Sequence, residues 1–364
     1  MTIAVLGGYG DVGQATCRYL LSLGLGPIRI GGRNAEINQV IDDSQVSYQY
    51  ANFLDESSLN EFVRNCHLVI NCAGPSHLID DRLATVARAN NIPYIDVAGD
   101  DPLYHTLIST DYQETGHTAV LSAGLQPGLT GLLPLWVAQQ IDFDIHHLTS
   151  YFVLFDRFTQ VAADDYMQGA NDKLSTPLAA WRNGRKQPAA LQRIQELALP
   201  FVPTKMTALP QVSTENERLA KQLSLDSAKW YNCVTGEHVL NAFNTVQSET
   251  REQAIETLCR ASSLDMAGRS PYIWMMIEAQ DSTQQKTHTT VIKGSGNANL
   301  TGAIAALTAA SLLRGEIPTG VHFCPQALAP HILFPALQQL CAVTVLNQFS
   351  QSLEQMLEPE LGEI

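Results

Sequence analysis

The chain has 364 residues, enough to bury a large core and to form about two domains. Its formal net charge is −14 with only 16% charged residues, a balance that disfavours nucleic acid and anionic membrane surfaces as partners. No apolar stretch reaches transmembrane length, and the first strand begins at residue 2, so neither a membrane span nor a signal peptide is expected. The seven cysteines (Cys17, Cys66, Cys72, Cys233, Cys259, Cys324 and Cys341) are scattered and include no C-x-x-C. They read as reduced thiols of a cytoplasmic protein, with no disulfide frame and no metal site.

The elements begin with the apolar run Met1–Leu6, followed by Gly7-Gly8-Tyr9-Gly10-Asp11-Val12-Gly13 and a helical pattern from Gln14. Strand, glycine turn and helix in this order predict a dinucleotide-binding unit, and residues 7–13 are its expected cofactor loop. Gly8-x-Gly10-x-x-Gly13 fits the fingerprint register. In it Gly8 permits the tight turn, Gly10 leaves room for a pyrophosphate, and Gly13 lets the helix pack on its strand. The second strand, Pro27–Ile30, ends in Gly31-Gly32-Arg33-Asn34, and no carboxylate occurs there before Glu36. An NAD site usually places an acid at this end to hold the ribose hydroxyls. Arg33 stands instead where a 2′-phosphate would lie, so NADPH/NADP is expected in preference to NAD.

Further strands are expected at Val46–Tyr50, Leu68–Asn71, Tyr94–Val97 and Ala119–Ser122, with helices at Leu59–Asn65, Leu83–Asn90 and Leu129–Gln140. The alternation predicts an α/β fold, with a doubly wound parallel Rossmann sheet over residues 1–144. Strand-like runs at Leu148–Phe155, Tyr272–Ala279 and Thr287–Lys293 predict an inserted α+β domain with a mixed sheet over 145–297, serving substrate binding and dimerisation. Within it Ser175–Pro210 reads as irregular. Leu300–Leu313 opens a C-terminal helical return over 298–364 that packs on the first domain, and Glu354–Glu363 reads as a last helical turn and a tail.

Five segments carry a family resemblance: Gly7–Gly13, Asn71-Cys72-Ala73-Gly74-Pro75, Tyr94–Asp100, Ala123-Gly124-Leu125-Gln126-Pro127-Gly128, and Gly315–Val321. With them the chain resembles the saccharopine dehydrogenase-like oxidoreductases, in their saccharopine reductase-type branch. Pro177–Gly184, with Trp181-Arg182-Asn183-Gly184, also looks like a linker element of such proteins. The resemblance implies a Rossmann domain, an inserted α+β domain and a cleft between them. It further implies NAD(P)H-dependent reduction of a C=N bond, or in relatives of other double bonds. It makes cofactor contact the expected role of Ala73, Gly74, Pro75 and Gly99. One departure is Gln126, where relatives often carry Asp before Pro-Gly. An amide hydrogen-bonds but does not transfer a proton near neutral pH, which leaves Gln126 to position substrate.

The catalytic candidates are Asp96, His77 and Tyr166. Asp96 and Asp100 flank the end of the fifth strand, where they could orient the nicotinamide side or a substrate, or relay a proton. A carboxylate satisfied by the backbone N–H groups of the next loop is the competing reading for Asp96. His77 follows the Gly-Pro turn, and Tyr166 follows Asp164 and Asp165 near the start of a helix. Arg157 and Lys173 could hold a substrate carboxylate. Glu237 and His238 fall on opposite faces if their segment is a strand. The leading reading is an NADPH-dependent imine reductase of a small-molecule substrate, working as a homodimer. An enoyl reductase acting on a carrier-bound or lipid-like substrate and a non-catalytic NADP(H) sensor are the alternatives.

Overall fold

The computed structural model describes residues 1–33, 41–110, 112, 116–171 and 174–358. The chain divides into two compact units, Met1–Leu132 with Asn297–Ala342, and Leu133–Gly296 with Val343–Ile364.

The first unit is built on β1 (Ile3–Leu6), α1 (Asp11–Ser22), β2 (Ile28–Gly32), β3 (Val46–Tyr50), α2 (Glu56–Val63), β4 (Leu68–Asn71), α3 (Ser76–Ile79), α4 (Arg82–Ala89), β5 (Tyr94–Asp96), α5 (Asp101–Ile108) and β6 (Thr118–Leu121). The sheet order is Gly320–Phe323, β6, β5, β4, β1, β2, β3, and every pair is parallel. Parallel sheets are covered on both faces, which is why β1 and β4 are buried at every residue and read as unbroken apolar runs. On one face Leu59, Phe62, Leu83, Ala87, Tyr94 and Leu107 form a single core.

Helix Asn297–Leu313 returns to this unit and buries 12 of its residues. It lies against α1 so closely that a Cβ on Gly302 would stand 2.6 Å from the Thr16 backbone nitrogen and 2.7 Å from the Ala15 carbonyl carbon. Helix α6 (Leu129–Gln140) forms over the span its apolar sequence predicts, and the chain passes from one unit to the other within it. Among the described residues no helix is long and apolar enough to cross a membrane.

The second unit carries a mixed sheet. Its central strand β7 (His147–Phe155) pairs parallel with Ser227–Val234 and antiparallel with Tyr272–Gln280, which continues antiparallel into Thr287–Gly294. Two expectations are corrected. Ser175–Pro210 is not irregular: it holds Ser175–Pro177, Ala180–Arg182, Arg185–Gln187 and Ile194–Leu197, and Met206–Ser213 starts within it. These strands are too short and polar to show a period; they form by pairing onto Met206–Ser213 and Ser227–Val234, or, for Arg185–Gln187, onto Ala180–Arg182. Nor does the whole C-terminal segment join the first unit. Val343–Phe349 pairs with Thr287–Gly294 and extends the second unit's sheet. Gln355–Leu357 is a short 3₁₀ turn, and residues 359–364 lie outside the described part.

The contact of Gly302 with α1 generates a test. Gly302→Val forces backbone apart from backbone and should destabilise the first unit by about 1–3 kcal/mol. Gly169, inside helix α7 (Gln160–Asn171), has nothing within 4 Å of an added Cβ, so Gly169→Ala should be neutral or stabilising. Thermal unfolding of both variants checks the contrast; equal effects would mean the helix contact carries no special constraint.

Candidate functional site

In the parallel sheet, β1 lies between β4 and β2, so the strand order reverses there. Ligands of open α/β sheets bind outside the carboxyl ends of the strands at such a switch point. The fingerprint loop leaves β1 at this place. Gly7 makes the turn: its φ is +76°, its N–H donates to the Gly31 carbonyl at 2.8 Å, and an added Cβ would meet the Ala73 nitrogen at 2.5 Å. This corrects the role expected of Gly8, whose missing Cβ instead makes room for the Ile30 side chain at 2.7 Å. Gly13 does what the register predicts, since its Cβ would lie 2.3 Å from the Gly7 oxygen.

Gly10 is the N-cap of α1, and the nearest atom to an added Cβ there is the Gly7 oxygen at 3.4 Å. The N-cap Gly10 brings no capping side chain, and among the described residues the N–H groups of Asp11, Val12 and Gly13 in the first turn have no side-chain acceptor. Open space at Gly10 beside an uncapped helix start is what a pyrophosphate requires, and the loop fits a dinucleotide on that ground.

At the end of β2, Arg33 is exposed and its guanidinium lies 5.9 Å from the centre of the Phe53 ring. No Asp or Glu occurs in residues 28–33; Asn34 and Glu36 lie outside the described residues. Phe53, which carries the guanidinium on its face, was not singled out from the sequence.

The loops after β4, β5 and β6 are tied together by one buried carboxylate. Asp96 is 3% exposed. Its Oδ1 accepts from the Ala98 and Gly99 N–H groups at 2.9 and 2.7 Å. Its Oδ2 accepts from Asn71 Nδ2 at 2.9 Å and from the Tyr94 hydroxyl. Asn71 Oδ1 in turn accepts from the Ala73 N–H at 3.1 Å, and Ser122 Oγ donates to the Gly99 carbonyl at 2.9 Å. Burial, and then the Asp96 charge, raises the pKa of the Tyr94 hydroxyl well above its ordinary value, so it remains a donor. Four donors occupy the two oxygens, the arrangement of the competing reading of Asp96, in which it clamps the loops that carry Ala73 and Gly99. Asn71, Tyr94 and Ser122 complete this clamp and were missed. The signal for Asn71 was a polar residue ending a wholly apolar strand. Cys72 beside them is no nucleophile, since burial pushes its thiol up to about 12.

His77 stands half-buried in α3, directly after Gly74 and the cis-linked Pro75. Asp100 is the N-cap residue of α5, and Gln126 is exposed on the loop after β6. With Asp96 and Gly99 these residues share the carboxyl edge of the sheet. Tyr166 and Arg157 belong to the second unit. There the Tyr166 ring stacks on Phe243 at 5.1 Å and meets Phe158 edge-on at 5.9 Å, and burial pushes its hydroxyl up. Arg157 is exposed, and its backbone N–H donates to Asp156 Oδ1 at 2.7 Å. Asp164 pairs with Arg251 at 2.5 Å, and Lys173 lies outside the described residues. Glu237 and His238 open a helix, not a strand, because Asp265 accepts from the N–H groups of His238 and Val239 at 3.1 and 2.9 Å.

Residues 3–103 match the NAD dependent epimerase/dehydratase family. Glutamyl-tRNA reductase of Clostridium botulinum (strain Eklund 17B / Type B) is 30% identical over 91 residues, 25% of this chain and 21% of that protein. The same enzyme of strain Alaska E43 / Type E3 matches to the same extent. The chain thus spans about a fifth of these curated relatives, 21% of their length. Apo histidine-tagged saccharopine dehydrogenase (L-Glu forming) from Saccharomyces cerevisiae is similar over the whole chain, with a TM-score of 0.71 at 11% identity, covering 96% of this chain and 100% of that one. The chain therefore has the saccharopine dehydrogenase fold, a Rossmann unit joined to a unit with a mixed sheet.

The clamp yields a measurable expectation. Asp96→Ala strands a buried amide, a phenol and two backbone N–H groups, and should cost about 3–5 kcal/mol of stability. Denaturant unfolding checks it. A variant of unchanged stability and lost turnover would return Asp96 to the chemical step.

Proposed function

We propose that this protein is an NAD(P)-dependent oxidoreductase that prefers NADPH and reduces a C=N bond of a small metabolite. The observation that carries the reading is the glycine loop at the switch point, open at Gly10 and followed by the uncapped start of α1. The saccharopine dehydrogenase fold of the whole chain supports a dehydrogenase activity on that scaffold. The NADPH preference is supported by the exposed Arg33 and by the lack of a carboxylate through the end of β2.

The first turn of α1 would hold the pyrophosphate, Arg33 the 2′-phosphate, and Ala73, Gly74, Pro75 and Gly99 the nicotinamide side. Bound there, NADPH would supply a hydride. The chain's own part is to orient and to exclude water, and the Asn71–Asp96 clamp keeps the two nicotinamide-side loops in place. Proton supply is where the C=N reading gains support over a C=C substrate. Asp96 is fully engaged, and Gln126 cannot carry a proton. An iminium already bears the activating charge, so hydride addition to it needs no strong acid. His77 is then the one titratable side chain among the catalytic candidates of this edge left for proton handling.

Two outcomes test this. Arg33→Ala should weaken NADPH binding by about 1.5–3 kcal/mol and leave NADH nearly unchanged by calorimetry. Equal losses for both would remove Arg33 from the 2′-phosphate. Gly10→Val has room to fold but fills the pyrophosphate space, so it should keep the native melting behaviour and lose both dinucleotides. NADPH oxidation with amines plus keto acids, against enoyl thioesters, separates the substrate classes. Binding without turnover across both panels would favour a sensor.

A further inference from the structure

We propose that Tyr9 reads the 2′ end of the adenosine ribose, its phenol turning out of a buried position to donate to the 2′-phosphate when NADP(H) binds. This rests on the dinucleotide reading above and names a specificity residue within it.

The Tyr9 hydroxyl is covered, and among the described residues it has no hydrogen-bond partner. Its ring neighbour Tyr48, with centroids 5.7 Å apart, shows the ordinary alternative: the Tyr48 hydroxyl donates to the Ile41 carbonyl at 2.9 Å and accepts from the Ile41 N–H at 2.8 Å. A buried hydroxyl left unpaired is unfavourable, and phenylalanine would fill the same space without that cost. The position of the ring says where a partner would come from. A Cβ on Gly32 would stand 2.8 Å from Tyr9 Cδ2, and Gly32 is the last residue of β2, directly before Arg33. The end of the second strand is where a Rossmann fold recognises the ribose hydroxyls.

The backbone at Tyr9 is held. Its carbonyl accepts from Gln14 Nε2 at 2.9 Å, and the Gly10 N–H donates to the Gly7 carbonyl at 3.0 Å. Exposure of the hydroxyl therefore calls for rotation of the side chain, which is only half-buried as a whole, and not for a shift of the loop. Burial first, and the Tyr48 phenol second, raises the pKa of the Tyr9 hydroxyl, so the group stays protonated, an O–H donor suited to a phosphate.

The test uses the full-length protein, with NADPH and NADH titrated calorimetrically into wild type, Tyr9→Phe and Tyr9→Leu, and with thermal unfolding of each ligand-free form. Tyr9→Phe keeps the ring packing and removes only the unpaired hydroxyl. It should weaken NADPH about tenfold (about 1.4 kcal/mol) and NADH by less than about twofold. The same variant should raise the ligand-free Tm by roughly 1–3 °C. Tyr9→Leu should lower that Tm, because the ring is lost from Gly32 and Tyr48. Wild-type NADPH affinity in Tyr9→Phe, or a lowered Tm with equal losses for both dinucleotides, overturns the assignment. If wild type binds neither dinucleotide, the cofactor reading falls and this inference with it. If wild type binds NADPH and Tyr9→Phe is indifferent, only the role of Tyr9 falls.

Discussion

Backbone packed on backbone is the constraint on which the cofactor edge of this protein depends. Gly7 touches the Ala73 amide, Gly13 touches the Gly7 carbonyl, and Gly302 touches the amide of Thr16. At each contact a single methyl group would stand at about half to two-thirds of the distance two carbon-sized atoms tolerate. The first contact brings the turn after β1 against the loop after β4. The second sets α1 down at the sheet edge, and the third fastens α1 from outside with a helix nearly three hundred residues later in the chain. Together they fix where the first turn of α1 presents its N–H groups. A helix start serves as an anion site only while its dipole and its free donors point at one place. The glycines thus act through position, and the chemistry at the loop is the backbone's own.

The second organising interaction is electrostatic. A carboxylate as buried as Asp96 is tolerable only when its oxygens are filled with donors, and here strand, loop and phenol all supply them. That saturation has a chemical consequence. Four donors engage the lone pairs of Asp96 in this arrangement, which favours the structural one of the two readings its sequence position allows. The surrounding loops gain rigidity from it, and under the proposed function these are the loops that would face the nicotinamide, where hydride transfer needs fixed geometry.

Much of the first unit is legible in the amino acids because its strands are buried on both faces and read as apolar runs, and because a glycine turn has few alternatives. What each glycine does is not legible. Gly7 rather than Gly8 takes the positive φ, and the neighbours that decide this, Ala73 and Ile30, come from other strands. Asp96 posed the same problem, since its donors Asn71 and Gly99 are visible in sequence but their convergence is not. In the second unit three of the long strands show themselves in the sequence, while Met206–Ser213, Ser227–Val234 and the short strands do not. One hairpin lies inside the segment that read as irregular: Asn183-Gly184, with φ of +53° and +71°, forms the two-residue turn between Ala180–Arg182 and Arg185–Gln187. The helix at Glu237 was not anticipated, because its capping carboxylate, Asp265, lies well downstream.

Charge sharpens the argument about how such an edge holds a phosphate-rich ligand. The chain carries −14, so its field at long range opposes an anion. At physiological ionic strength that field fades over about 8 Å, and only contacts at the site remain. Attraction has to come from groups already aimed: the donors of the α1 start, and a guanidinium resting over the Phe53 ring. A lysine at the same place would bring equal charge without the planar fork or the stacking surface. Under the proposed function, selectivity at this edge would be a property of geometry held in advance, in a protein whose overall charge works against an anionic ligand.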